Sequence, residues 1–267
     1  MQRSRSIRKI VQAPIAIERN TNVKRRPNSN KFIEPAADHP LHRNIPKLVN
    51  ITNRAQPEPT TIQYSVVPRA FEGETVYIIG GGPSLRGFDF RLLATTGSKT
   101  IAVNKALLSY PNADVLYWTD SRFYTWYKND IDNFKNLKFT IKAGSQYTDD
   151  VKVLKKGKAH GLEEDPQILA HGFNSGYAAI NLAYHLGASR IILLGFDMGM
   201  DGLESHFHDG YPTVPAGNKV YQDKFLPGFK QLSSDMRKSG IEVLNASQHS
   251  RLSEFPIITL NQALSFR

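Results

Sequence analysis

The stretch that most limits what this chain can fold into is Thr75-Val76-Tyr77-Ile78-Ile79-Gly80-Gly81-Gly82-Pro83-Ser84-Leu85. Its first half is a short apolar run, the pattern of a buried strand. Three glycines, a proline and a serine break the run, and the helix-like segment Asp89-Phe90-Arg91-Leu92-Leu93-Ala94 follows. Strand, tight glycine turn and helix start, in that order, bring bare backbone N–H groups up to a phosphate in α/β proteins. Glycine admits positive φ and removes the Cβ that would hold a ligand away. Pro83 stiffens the turn, and Ser84 is placed to cap the helix or to bind an oxygen. The spacing is neither G-x-G-x-x-G nor a P-loop, because no Gly-Lys-Ser/Thr follows. A glycine-rich turn that binds nothing stays open as the alternative.

From about residue 72 the chain alternates between the two periodicities. Strands are expected at Thr75–Gly80, Lys99–Asn104, Ala113–Asp120, Leu137–Ala143, Arg190–Gly195 and Ile241–Asn245, with a short one at Val151–Leu154. Helices are expected at Ser121–Phe134, Ser175–Leu186, Lys219–Lys238 and Thr259–Leu264, and Gly187 and Gly240 supply stop signals. Residues 144–171 and 198–218 read as irregular. Strands separated by helices predict an α/β, Rossmann-like fold with a mostly parallel sheet covered on both faces. Sites in such folds lie beyond the carboxyl ends of the strands. There the sequence presents Gly80, Gly81, Gly82, Pro83 and Ser84, then Asn104, Asp120, Asp197, Asn245 and Ser247. The turn Asn174-Ser175-Gly176 opens the clearest helix, with Ser175 as its expected cap. Each of these residues is equally able to be a plain cap or turn former.

Charge divides the chain. Residues 1–54 hold 12 of the 34 Lys and Arg but 3 of the 24 Asp and Glu, and so nearly all of the net charge of +10. Residues 1–70 show no sustained period and are rich in Arg, Asn and Pro, so they read as an extended or disordered basic arm ahead of a domain at 71–267. A solvated tail, an arm docked on a second copy in a homo-oligomer, and one docked on nucleic acid are the open readings. The aromatic interleaving of a single-strand binder is absent. The chain has no cysteine, which removes disulfides, thiolate nucleophiles and zinc–cysteine sites. No apolar run approaches the roughly 20 residues that span a bilayer, and a cytoplasmic location is expected.

The loop Ser205-His206-Phe207-His208-Asp209 sets two imidazoles two residues apart beside a carboxylate. An extended segment points both the same way, as two ligands of a transition metal would stand, whereas a general base needs only one His with an orienting carboxylate, Asp209 or Asp201. A polar surface loop is the plain reading. His160 and His171, standing alone, read as structural.

Taken together, several stretches resemble the bacterial sialyltransferases of the Campylobacter type, and equally the 6-hydroxymethylpterin diphosphokinase-like proteins of the former DUF115 group. These are Ile78–Leu85, Ala102-Val103-Asn104, Asn174-Ser175-Gly176-Tyr177, Gly187–Asp197 and the histidine loop, in that order over roughly residues 75–265. A phage or prophage branch is the expected source. The resemblance implies a nucleotide site and a nucleotide-sugar donor of CMP or UDP type. His206 or His208 would be the base toward a hydroxyl of a small-molecule or glycan acceptor. The tyrosines that help the leaving phosphate in the sialyltransferases do not carry over cleanly. Met198 and Gly199 follow Asp197, and Tyr211 is the nearest candidate. Asp120 stands where those enzymes resemble an Asn-bearing strand end. A carboxylate facing a phosphate takes a divalent cation between them, which makes Asp120 and Asp197 candidate Mg2+ ligands. ATP-dependent diphosphate transfer, and a non-catalytic phage assembly protein that keeps the fold, are the alternatives.

Overall fold

The structure is a computed structural model, and it describes residues 62–266 apart from 145, 203, 210 and 213–216. The arm expected over residues 1–70 lies outside the described residues as far as residue 61. Beyond that, the Ser65 N–H donates to Val153 O at 2.8 Å, and Val67 is buried. Backbone bonding to the domain therefore begins before residue 71.

Seven strands form one parallel sheet: β1 (Thr75–Ile79), β2 (Lys99–Val103), β3 (Val115–Trp118), β4 (Leu137–Thr140), β5 (Val151–Val153), β8 (Arg190–Leu194) and β9 (Glu242–Asn245). Their order is β5-β4-β3-β2-β1-β8-β9. The chain runs outward from β1 to one edge and returns to its other side as β8, so the switch point lies between β1 and β8. Two further short strands, β6 (Lys155–Lys156) and β7 (Ile168–Leu169), pair within the stretch expected to be irregular.

Both faces are covered, which is why the strands read as unbroken apolar runs. On one face Val76, Ile78, Ile101, Ile191 and Leu193 pack with α5 (Ser175–Leu186) and α7 (Pro227–Lys238). On the other, Tyr77, Ile79, Ala102, Leu116 and Trp118 pack with α1 (Arg91–Ala94), α2 (Ala106–Ser109), α3 (Ser121–Trp126), α4 (Lys128–Asn133) and α8 (Leu260–Ser265). Each fully buried Val, Leu or Ile among them contributes about 1.5–3 kcal/mol to holding the layers together.

Two expected helices are interrupted. The one over Ser121–Phe134 is split at Tyr127, whose φ of −123° and ψ of 30° leave the helical region. The one over Lys219–Lys238 is a short helix α6 (Asn218–Val220), a π-helical turn at Tyr221–Phe225, and then α7. The 157–171 connection is tied to α5 by Asn181, fully buried. Its Oδ1 accepts from the N–H groups of Glu163 and Ala170, both at 3.0 Å.

Candidate active site

A cavity of about 380 Å³ opens at the carboxyl ends of β1, β2 and β8, against the first turn of α5. Gly80, Gly81, Gly82, Asn104, Asn174, Ser175, Gly176, Ser205 and His206 all line it. This is the switch-point crevice at which ligands sit in open α/β sheets.

The glycine turn is built for close packing. None of Gly80, Gly81 and Gly82 has a positive φ, contrary to one reason for expecting glycine there. What each needs is the missing side chain. A Cβ on Gly80 would stand 2.8 Å from Gly195 O, and one on Gly82 would stand 1.9 Å from Asp197 Oδ2. A Cβ on Gly81 would meet His206 Cδ2 at 2.9 Å, so that glycine makes room for the histidine loop. The loop is fastened there by the Phe207 N–H, which donates to Gly81 O at 3.0 Å. Gly80 and Gly82 donate their N–H groups to Leu194 O and Gly195 O, both at 2.8 Å. The Gly81 N–H has no acceptor among the described residues and stands at the cavity wall.

Asn174, and not Ser175, is the N-cap of α5: its Oδ1 accepts from the Tyr177 N–H at 2.8 Å. Ser175 therefore becomes the first helical residue and lines the cavity. The N–H groups of Ser175 and Gly176 have no acceptor among the described residues, as expected for a helix start. Gly176 must be small because a Cβ there would meet the Phe196 ring at 2.7 Å. Gly81, Ser175 and Gly176 thus bring three open donors and the positive end of a 12-residue helix to one cavity. Asn104 ends β2 in the left-handed region, φ +53°, which asparagine tolerates.

The two loop histidines are unequal. Their rings stack, with centroids 4.8 Å apart and planes 19° apart, and Tyr211 packs edge-on to both. His206 lines the cavity; His208 does not. His206 Nδ1 shares a 2.7 Å hydrogen bond with Ser205 Oγ, which leaves Nε2 as its other polar atom. Burial, then the nearby Lys105, lowers the His206 pKa below the ordinary histidine range, so the ring is neutral at pH 7. Burial, then His206 and Lys105, lowers that of His208 to about 3. Of the two carboxylates expected to orient the base, Asp209 is exposed and Asp201 pairs with Arg86, while a serine hydroxyl bonds the His206 imidazole.

Several candidate ligand residues are hydrogen-bonded within the chain. Asp197 accepts from the Ser84 N–H at 3.0 Å and the Ser84 hydroxyl at 2.8 Å, clasping the glycine turn to the end of β8. Partial burial raises its pKa, and the Ser84 bonds oppose that shift. Pro83 packs inward beside Ser84, and neither lines the cavity. Asn245 and Ser247 are fully buried. The Ser247 hydroxyl accepts from the Phe196 N–H at 2.8 Å, and Asn245 Oδ1 accepts from the Ser247 N–H at 3.0 Å, so they fix the Phe196 loop from behind. Asp120 caps α3, and Arg122 holds it through both its backbone N–H, at 2.9 Å, and its guanidinium. That hydrogen bond keeps the Asp120 pKa below the carboxylate range. Since Asp120 and Asp197 are each engaged by donors of their own chain, they do not fit a Mg2+ site as they stand. Among the described residues no three His, Asp or Glu side chains gather as metal ligands. The two-histidine metal pair therefore lacks a third ligand there.

Five aromatic residues, Phe173, Phe196, Tyr211, Tyr221 and Phe225, line the cavity as well, beside Val103, Gly195, Met198 and Gly199. Tyr221 and Phe225 come from the π-helical turn, whose rings meet at 5.5 Å. No motif in the sequence marks them, because their use depends on where that turn docks.

No family profile and no curated protein sequence matches the chain. Among solved structures, it is similar to the MAf glycosyltransferase from Magnetospirillum magneticum AMB-1, with a TM-score of 0.53 and 16% identity over 76% of this chain. This chain spans 36% of that protein. A second similarity is to the sialyltransferase CstII from Campylobacter jejuni in complex with cytidine-5'-monophosphate, with a TM-score of 0.46 and 14% identity over 71% of this chain and 86% of that one. The first of these likenesses shows a shared α/β Rossmann-like fold, in agreement with the parallel seven-stranded sheet.

Proposed function

We propose that the chain is a nucleotide-dependent transferase that moves a sugar from a nucleotide-sugar donor, of CMP or UDP type, to a hydroxyl of an acceptor. The observation that carries this reading is the meeting, in one cavity, of three open backbone donors with a neutral histidine. The N–H groups of Gly81, Ser175 and Gly176 suit a phosphate, and His206 suits a general base. In the step so read, His206 Nε2 takes the proton of the acceptor hydroxyl. The acceptor oxygen forms a bond to the anomeric carbon, the bond from that carbon to the phosphate oxygen breaks, and the open N–H groups receive the departing charge. For Nε2 to accept, Nδ1 must carry the proton and donate it to Ser205 Oγ, which the 2.7 Å contact allows. Burial, by keeping the ring neutral, favours the same role. The fold neighbour named first above is a glycosyltransferase, which agrees with this reading, while the site of this chain carries it.

A thermal-shift panel of CMP, UMP, UDP and ATP tests the proposal. A nucleotide at about 100 times its Kd stabilises by about 2.7 kcal/mol, or roughly 5–10 °C for a domain of this size. A response to ATP alone would favour diphosphate transfer, and no response would favour a binding protein that has kept the fold. Adding EDTA during turnover decides the metal question, because Mg2+ on Asp120 or Asp197 would first have to displace Arg122 or Ser84.

A further inference from the structure

We infer that Phe173 is a stacking platform for the base of a nucleotide whose phosphate lies at the start of α5. This rests on the nucleotide reading of the cavity and adds the part of the ligand that the glycine turn cannot hold.

The observation that carries it is a strained, exposed aromatic. Gly172 and Phe173 are consecutive left-handed residues, with φ of +49° and +58°. Gly172 has a packing reason to be glycine: a Cβ there would lie 2.0 Å from Tyr177 Cγ. Phe173 has no comparable steric reason, and its described ring contacts are two histidines and a lysine. A bulky side chain is disfavoured in the left-handed region, where glycine or asparagine is at ease. Burial does not offset the strain, since Phe173 is 44% exposed. Outliers of this kind gather at ligand sites, where function keeps them.

The surroundings define the ligand. Phe173 lines the cavity, and two histidines steady its ring edge-on: His171 at 4.8 Å and 87°, and His160 at 6.0 Å and 66°. His171 Nδ1 also accepts the Phe173 N–H at 3.1 Å, which fixes the turn. The open N–H groups of Ser175 and Gly176 follow two and three residues later, so a phosphate bound there sits within a nucleoside's length of the ring. Tyr221 and Phe225 add further ring surface to the same cavity. Lys224 Nζ stands over one face of the Phe173 ring at 5.3 Å, so the base is assigned to the opposite face, and the lysine brings positive charge toward an anionic ligand. The neighbouring amide is spent, since Asn174 accepts from the Tyr177 N–H and donates to Gly172 O at 3.2 Å. The turn therefore offers ring faces and little that reads an edge, which suits a planar base held by stacking.

The test is calorimetric titration of the full chain with CMP, UMP and AMP, and with ribose 5-phosphate as a base-free probe. The variants are Phe173→Asn and Phe173→Tyr. Asparagine is tolerated in the left-handed region, so the melting temperature of Phe173→Asn is expected to stay level or rise. Its affinity for the nucleotide that binds best should fall about 5- to 150-fold, the range for one stacked base. Phe173→Tyr should bind like the wild type, and ribose 5-phosphate should not distinguish the three proteins. Unchanged nucleotide affinity in Phe173→Asn overturns the platform and leaves the phosphate site standing. A melting temperature several degrees lower in Phe173→Asn overturns it too, by showing the ring to be structural. A wild type that binds none of the nucleotides overturns the nucleotide reading, and the platform with it.

Discussion

Adding one carbon at two adjacent positions should have opposite consequences. In Gly82→Ala the new methyl would sit 1.9 Å from Asp197 Oδ2 and 2.6 Å from Gly195 O. The carboxylate can swing away only by releasing both Ser84 donors, and the carbonyl belongs to the backbone and cannot swing. Two hydrogen bonds to a half-buried carboxylate are worth about 1–2 kcal/mol each. The loss is therefore about 2–4 kcal/mol, before any cost of shifting the end of β8. For a domain near 200 residues that lowers the melting temperature by on the order of 10 °C. In Gly81→Ala the methyl meets only the edge of the His206 ring, at 2.9 Å, with the next atom at 3.6 Å. A side chain can yield there, so the expected loss is under about 1 kcal/mol, or about 4 °C. The displaced ring is the proposed base, however, and a shift near 1 Å can cost about 100-fold in rate. Calorimetry on both variants, paired with transferase rates, separates the two effects. If Gly82→Ala melts with Gly81→Ala, the Asp197 clasp is not what demands a glycine at position 82. If Gly81→Ala keeps full turnover, His206 is not the base.

Separate replacement of the histidines should show the same asymmetry. His206→Asn is expected to lose about 10²–10⁴-fold in rate, while His208→Asn, outside the cavity wall, keeps most of its turnover; an equal loss in both would contradict the unequal geometry. The rate against pH should have an acidic limb below the ordinary histidine value of 6.5, because His206 must be neutral to act and its pKa is lowered; a limb above 6.5 would argue against it. Stability carries a matching sign: His208, lowered to about 3, contributes stability that is present above 6.5 and is lost as pH falls from there toward 3. Thermal melts across that window should therefore show a shallower decline in His208→Asn than in the wild type. Asn174→Ala removes the cap of α5 and should cost about 1 kcal/mol, and it should weaken nucleotide binding because Ser175 and Gly176 lose their fixed approach; melting and calorimetric titration read the two losses.

Much of the fold was legible because local pattern dictates it. A parallel sheet covered on both faces makes each strand a short apolar run, and β1, β2 and β8 stand within a residue of where the sequence places them. That Gly80–Gly82, Asn104, the start of α5 and His206 line one crevice was legible for a related reason. The topology of an open α/β sheet brings the carboxyl ends of its strands together, so position along the chain implies position in the crevice. What each polar residue does there depended on partners far away in sequence. Ser84 and Asp197 are 113 residues apart, and Phe196 and Ser247 are 51 apart. Sequence shows hydrogen-bonding capacity, and only packing shows whether a distant donor already uses it. Asp197 and Ser247 are the instances: each reads as a candidate ligand contact, and each is engaged by such a distant donor. The aromatic walls were invisible for the converse reason. Phe173 and Phe225 are apolar, and Tyr221 stands in no motif. A left-handed turn in one case and a π-helical turn in the other carry these residues to the cavity wall, and neither backbone state is marked by a sequence motif.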